Sequence, residues 1–291
     1  MELAARLACP VCLGPLQTEW QVLVCSACAR RFPIVDGVPD LLVSEQVAPA
    51  QLETIAEWEE GAEAYQAMWR ALGPGRLAPI DRPLLDAAAG DVVEVGCGDG
   101  RLLEQVAGPH VRSRLGVEPA RPLAAAAARR GLDVVRAAAE ALPLADRSVD
   151  VVLAGFYALR YVDLDAALTE AARVLRPGGR LAFTLVGRRA ARLAATATAL
   201  PLFLDARRRR TAAELLLGLG APAAMPNDVD GAGALRSRLA GHGLAVDDLL
   251  GTPYLPLASS ALARLVGRRL PYLRGGLAAF GYDVVVLAHR L

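Results

Sequence analysis

Four cysteines near the start of the chain stand in two pairs, Cys9-Pro10-Val11-Cys12 and Cys25-Ser26-Ala27-Cys28. Two such knuckles, separated by the twelve residues 13–24, can present four thiolates tetrahedrally to one zinc ion. Backbone N–H groups in each short turn help carry the sulfur charge. With all four positions filled by protein, the expected Zn2+ is structural rather than catalytic. The competing readings are two disulfides or four free thiols, and a chain expected in a reducing compartment disfavours the disulfides.

A second group of residues has different chemistry. Glu94 is followed by Gly96-Cys97-Gly98-Asp99-Gly100, and Glu118 stands 22 residues beyond Gly96. Glycines let a backbone approach a nucleoside-bearing ligand that any Cβ would push away. An acid at the tip of the next strand can accept hydrogen bonds from both ribose hydroxyls, the expected task of Glu118. The spacing is Gly-x-Gly-x-Gly, not the Gly-x-Gly-x-x-Gly of dinucleotide folds. Cys97, inside the loop, reads as a small buried residue rather than a nucleophile.

These residues need elements to hold them. Residues 16–24 read as two short strands between the knuckles. The stretch 46–72 carries apolar residues at helical spacing and ends at Gly73-Pro74-Gly75. It is expected to connect two domains, with Tyr65 and Trp69 either packing on the core or lining a ligand mouth. From Asp91 onward strands and helices alternate: strands over 92–95, 115–118, 132–136, 149–153, 180–186, 244–250 and 282–289, helices over 101–107, 122–130 and 164–175. Such alternation predicts an α/β domain, a mostly parallel sheet with helices on both faces. The expected organisation is a zinc ribbon over 1–45, a connecting helical segment over 46–75 and the main domain over 76–291. Two insertions, about 188–239 and 253–276, are too long for simple connections.

Composition narrows the function. The chain has 291 residues, 54% hydrophobic and 22% charged, with a net charge of +1. A disordered chain and a bulk polyanion binder are both disfavoured. All 32 cationic residues are arginine, and Arg207-Arg208-Arg209-Arg210 reads as a solvated face. Aromatic residues make up 5%, too few to suggest a stacking platform for single-stranded nucleic acid. The longest apolar stretch, 193–204, contains Pro201 and falls short of the roughly 20 residues a membrane span needs. Membrane insertion is not expected, and the expected location is cytoplasmic.

The segment 92–103 resembles the first motif of class I S-adenosylmethionine-dependent methyltransferases of the type 11 kind. Glu140-Ala141-Leu142-Pro143-Leu144, Ser148-Val149-Asp150-Val151-Val152 and the run from Asp163 to Thr184 resemble that family's later segments in the same order. The resemblance implies S-adenosylmethionine as cofactor and a Rossmann-like seven-stranded sheet whose last strand is antiparallel between its neighbours. It places Gly96, Cys97 and Gly98 against the methionine and adenosine parts, with Glu94 bracing the loop and Glu118 on the ribose. Pro119, Ala139 and Glu140 fall around the adenine, and Gly155 and Phe156 border the methionine end. Many relatives carry Asp where this chain has Ala138, so the adenine amino contact must come from elsewhere. Tyr157, Arg160, Tyr161 and Asp163 follow the fourth strand, where the family places acceptor-facing groups. Tyr161 and Tyr157 are the candidates to touch substrate, and Tyr161 takes a position often held by His. His110, His242 and His289 are not expected to act as bases.

Residues 9–42, with Pro33-Ile34-Val35-Asp36-Gly37-Val38-Pro39, resemble the small zinc-ribbon activator subunit that partners tRNA, rRNA and release-factor methyltransferases. This implies a docking or stabilising module fused to its enzyme. The combined reading is methyl transfer to a small apolar or aromatic acceptor, on O, N or C, beneath a lid formed by the insertions. The alternatives are an rRNA or tRNA base methyltransferase and a non-catalytic binding module.

Overall fold

A computed structural model describes residues 3–72, 80–188, 227–252, 272–280 and 283–291. The stretches expected as insertions fall largely outside these described residues, as do the Arg207–210 run and the apolar segment 193–204.

The ribbon is a four-stranded antiparallel sheet in the order β1-β2-β3-β4, built from β1 (Leu16–Glu19), β2 (Val22–Cys25), β3 (Arg31–Val35) and β4 (Val38–Pro39). Its small size leaves little core of its own. Leu7, Leu16, Leu23, Phe32 and Leu41 instead join one continuous apolar cluster with Leu142, Leu144 and Leu168 of the main domain. Below roughly 40 residues a domain usually needs a metal, disulfides or a partner surface to fold, and here the neighbouring domain supplies that surface. Helix α1 (Pro49–Leu72) follows, close to the predicted 46–72.

The main sheet has eight strands in the order β11-β10-β12-β9-β8-β5-β6-β7. These are β5 (Gly90–Val95), β6 (Val111–Val117), β7 (Val134–Val135), β8 (Val149–Ala154), β9 (Leu175–Val186), β10 (Leu244–Gly251), β11 (Leu273–Arg274) and β12 (Asp283–Arg290). The expected seven are all present, and β11 is a two-residue addition at one edge. Strands β5 to β9 pair in parallel, while β12 runs antiparallel between β9 and β10, as the resemblance implied. The central strands are buried on both faces and read accordingly as valine-rich runs, interrupted in β5 by Asp91 and Glu94 and in β8 by Asp150. Flanking helices are α2 (Asp81–Ala87), α3 (Arg101–Gln105), α4 (Arg121–Arg129), α5 (Leu164–Val174) and α6 (Ala232–Gly241). α6 occupies the end of the first stretch read as an insertion. Asp163 caps α5, accepting from the backbone N–H of Asp165 and Ala166. Among the described residues no helix is long and apolar enough to cross a membrane.

The ribbon sits on the β7 edge of the main sheet. Asp40 and Arg136 form a parallel β-bridge, with Leu41 N–H donating to the Arg136 carbonyl at 2.8 Å and Arg136 N–H to that of Pro39 at 2.9 Å. The ribbon thereby covers an edge strand that would otherwise stay open.

Candidate cofactor cleft and metal centre

The carboxyl ends of β5, β6 and β8 meet at a cleft that opens to solvent. Such a position, beside the reversal in strand order, is where open α/β sheets bind ligands. Gly96 begins the floor. Its φ of +68° suits glycine, and a Cβ there would meet that of Ala158 at 2.4 Å. The Gly96 N–H donates to the Val117 carbonyl at 2.8 Å, which ties the loop to the neighbouring strand.

Glu118 is the electrostatic centre of this floor. Its Oε2 accepts from Gly98 N–H at 2.8 Å and its Oε1 from Ala120 N–H at 2.9 Å. Each oxygen thus keeps a lone pair for one hydroxyl donor. Burial pushes its pKa up to about 7 against the pull of those two amides, and the nearby Asp99 and Glu59 carboxylates add to the rise. A pair of ribose hydroxyls fits this carboxylate.

Pro119, Ala138, Ala139 and Glu140 line the cleft on one side, and Gly155, Phe156 and Tyr161 on the other. Glu140 Oε1 accepts from Asp163 N–H at 3.0 Å, and burial raises its pKa. Phe156 and Tyr157 both sit in the left-handed region, at φ of +47° and +62°. Two consecutive non-glycine residues there store strain. The buried Thr184 holds the turn by accepting the Tyr157 N–H on its hydroxyl at 2.8 Å.

Of the residues singled out by sequence, Glu94, Cys97, Tyr157, Arg160, Asp163 and Trp69 do not line the cleft; Arg160 is buried in a bidentate pair with Asp228. Glu94 is buried behind the loop, its Oε2 without a hydrogen-bond partner among the described residues and its pKa raised well above the usual range by burial. The Cys97 side chain turns away into the apolar cluster with Leu103, Ala124 and Ala127. Tyr157 aims its hydroxyl at Asp283, whose other carboxylate oxygen accepts from Thr252 Oγ1 at 2.5 Å.

The roof is what sequence reasoning missed. Gln51, Thr54, Ile55, Trp58 and Tyr65 of α1 all line the cleft. Positions i, i+3, i+4, i+7 and i+14 fall on one helical stripe, and its polar members, Gln51 and Thr54, keep it from standing out as an apolar face. Trp58 packs edge-on against Tyr161 at 5.6 Å and Tyr65 at 5.7 Å. Tyr65 lines the mouth, as one of its two readings anticipated. Trp69 instead stacks under the Arg101 guanidinium, 4.1 Å from its ring centre, and against Phe156 at 5.0 Å. No arginine or histidine lines the cleft among the described residues.

In the ribbon, the Sγ atoms of Cys9, Cys12, Cys25 and Cys28 lie within 4.8 Å of one another. Cys9 and Cys28 are 3.8 Å apart and Cys12 and Cys25 3.5 Å, near the roughly 3.8 Å edge of a tetrahedron with 2.3 Å zinc–sulfur bonds. The backbone amide of Cys28 leads in drawing the Cys25 thiol down to about 7. Cys12 rises to about 12 against the Gly14 amide because it shares hydrogen bonds with Cys25 and Cys28. The donor set and geometry are compatible with a tetrahedral metal ion.

Comparison with known proteins agrees with this division. Residues 93–183 match the family described as "Methyltransferase domain", and residues 3–37 the family described as "Trm112p-like protein". A malonyl-[acyl-carrier protein] O-methyltransferase of Methylococcus capsulatus is 51% identical over 57 residues, covering 20% of this chain and 21% of that protein. A nocamycin O-methyltransferase of Saccharothrix syringae is 36% identical over 133 residues, covering 40% and 46%. The chain thus spans less than half the length of these curated relatives. Among solved structures, a chain from a complex of the Haloferax volcanii Trm112 methyltransferase activator with its methyltransferase superposes with a TM-score of 0.54 at 16% identity. It covers 81% of this chain and 97% of that one, a likeness of fold. The chain therefore carries a methyltransferase domain preceded by a Trm112p-like domain.

Proposed function

We propose that this chain binds S-adenosylmethionine in the cleft beneath α1 and transfers its methyl group to a small apolar or aromatic acceptor, with Zn2+ held by Cys9, Cys12, Cys25 and Cys28. The observation that carries the reading is Glu118: a buried carboxylate beside a glycine loop, already fixed by two backbone amides and with one acceptor site left on each oxygen.

The cofactor supplies an electrophilic methyl group on a sulfonium with a good leaving group. The chain's task is then to bind, align and keep out water. Glu118 holds the ribose, and Gly96 and Gly98 let backbone come close to the methionine end. Ala138, Ala139 and Pro119 offer an apolar wall to the adenine. Phe156 and Tyr65 add aromatic surface, which suits a cationic centre. Tyr161, at the cleft wall beside Trp58, is the group we place against the acceptor. Tyr157, bonded to Asp283, would position Phe156 rather than touch substrate. The relatives named above are O-methyltransferases, which favours oxygen as the acceptor atom.

The lining favours a neutral or cationic acceptor. Glu118 and Glu140 are its charged groups among the described residues, and neither would welcome a phosphodiester. The rRNA and tRNA reading therefore stands second. Titration with S-adenosylhomocysteine at pH 8, followed by methyl-transfer assays against small phenols and short RNAs at two salt concentrations, tests both. RNA binding would weaken steeply with salt, whereas turnover of a neutral acceptor would not.

A further inference from the structure

At one side of the cleft a single guanidinium joins three separate parts of the molecule. Arg136 Nε donates to the Pro119 carbonyl at 2.9 Å, on the cleft wall. Its Nη1 donates to both carboxylate oxygens of Asp40 in the ribbon, at 3.1 and 3.2 Å, and its Nη2 to Glu59 Oε1 of α1 at 3.1 Å. Arg121 completes the node, its backbone N–H donating to Glu59 Oε1 at 3.0 Å and its Nη2 to Asp40 Oδ2 at 2.6 Å. The Arg136 and Asp40 side chains are 15% and 13% exposed, so solvent screens their pair only weakly, whereas Glu59 and Arg121, at 34% and 42%, stand nearer the surface. Elsewhere α1 meets α4 through the small apolar cluster of Ala62, Ala120 and Leu123.

We propose that Arg136 is a positioning residue, a latch through which the ribbon holds α1 closed over the cleft and so sets how long the cofactor stays bound. The proposal rests on the reading of the cleft as a S-adenosylmethionine site. Three acceptors at three angles suit a planar guanidinium fork, which a lysine ammonium cannot match. Two carboxylates from different units, brought to one place, would repel without the arginine between them. Removing Arg136 therefore loosens the helix that carries Trp58 and Tyr65, and also the Pro119 wall.

The test uses the full zinc-loaded chain and measures release of S-adenosylhomocysteine by stopped-flow competition. Arg136→Lys and Glu59→Gln are each expected to speed release about tenfold, the scale of one charge-assisted hydrogen bond. Asp40→Asn, outside the cleft, should act in the same direction. Asp40→Asn combined with Glu59→Gln should exceed Arg136→Lys by no more than about twofold, because the two arms act through one residue. Amide exchange over 51–65 should quicken in all three variants while β5 stays protected. Arg82→Ala, which removes an exposed ion pair on α2, should leave release unchanged. Unchanged release in folded Glu59→Gln and Asp40→Asn overturns the latch, whatever becomes of the Arg136 variant. A wild-type chain that binds no S-adenosylhomocysteine overturns the cofactor reading and the latch together.

Discussion

The ribbon and the cofactor cleft reach their chemistry by opposite routes. The four thiols lie within residues 9–28 and need only two short turns to converge. The cleft gathers α1, the loop after β5, the tip of β6, residues 138–140 and the turn after β8. A local site can be lost by changing one residue, whereas a dispersed site degrades by degrees. The two regions are nonetheless coupled, since they share one apolar cluster and the β7 edge.

The sharpest way to break the comparison is at the metal centre. Cys9→Ser, or removal of metal by a strong chelator, should unfold the ribbon. Because the ribbon shares its core with the main domain, the whole chain should melt more than about 10 °C lower, in keeping with structural zinc sites that supply most of a small domain's folding energy. Calorimetry would show it. A main-domain transition left at its original temperature would mean that the two regions are thermally independent.

In the cleft, Glu118→Gln should weaken S-adenosylmethionine binding by roughly 100-fold, the loss of charge assistance at two hydroxyl bonds. The same variant should stay folded but melt somewhat lower, because the amide NH2 cannot accept and leaves the Gly98 or Ala120 N–H without its partner. Binding should therefore fall far more than stability here, unlike at the cysteines, where the fold itself is lost.

A gentler probe is pH. Cofactor hydroxyls need Glu118 ionised, and its value in the free protein is about 7. Affinity should then fall by up to about tenfold per pH unit below that point, with a proton released on binding at pH 6. Stability of the free protein has the opposite sign. The folded value lies above the unfolded one, so this group's contribution is fullest below the unfolded carboxylate value and is lost as pH rises towards 7. Titration calorimetry in buffers of different ionisation enthalpy reads the proton. The smallest effect is expected from Tyr157→Phe. It removes a bond to Asp283 outside the cleft and should change cofactor affinity by less than about threefold, a peripheral hydrogen bond being worth little.

Legibility in the sequence followed the same divide. The cysteine spacing, and the glycine loop with Glu118 about 20 residues on, are patterns readable along the chain, and the strands of the main sheet are visible as β-branched runs. The helix expected over 164–175 stops at Val174 and the strand expected over 180–186 begins at Leu175, which pairs with Val149 of β8 ahead of a bulge. Residues 132–136 shortened to a two-residue strand because β7 lies at the edge, where the ribbon takes over the pairing. The roof was hidden for another reason: Gln51, Thr54 and Trp58 become a surface only when α1 lies across strands far away in sequence. Arg136 was equally silent, since nothing local marks an arginine whose partners lie at 40, 59 and 119.

The most direct measurement is calorimetric titration of the full chain with S-adenosylhomocysteine at pH 8, beside Glu118→Gln. Saturable one-to-one binding by the wild type, weakened roughly 100-fold in the variant while both proteins remain folded, is the predicted result. Absence of binding by a folded wild type, or equal binding by both proteins, would contradict the assignment of Glu118 and with it the cofactor cleft.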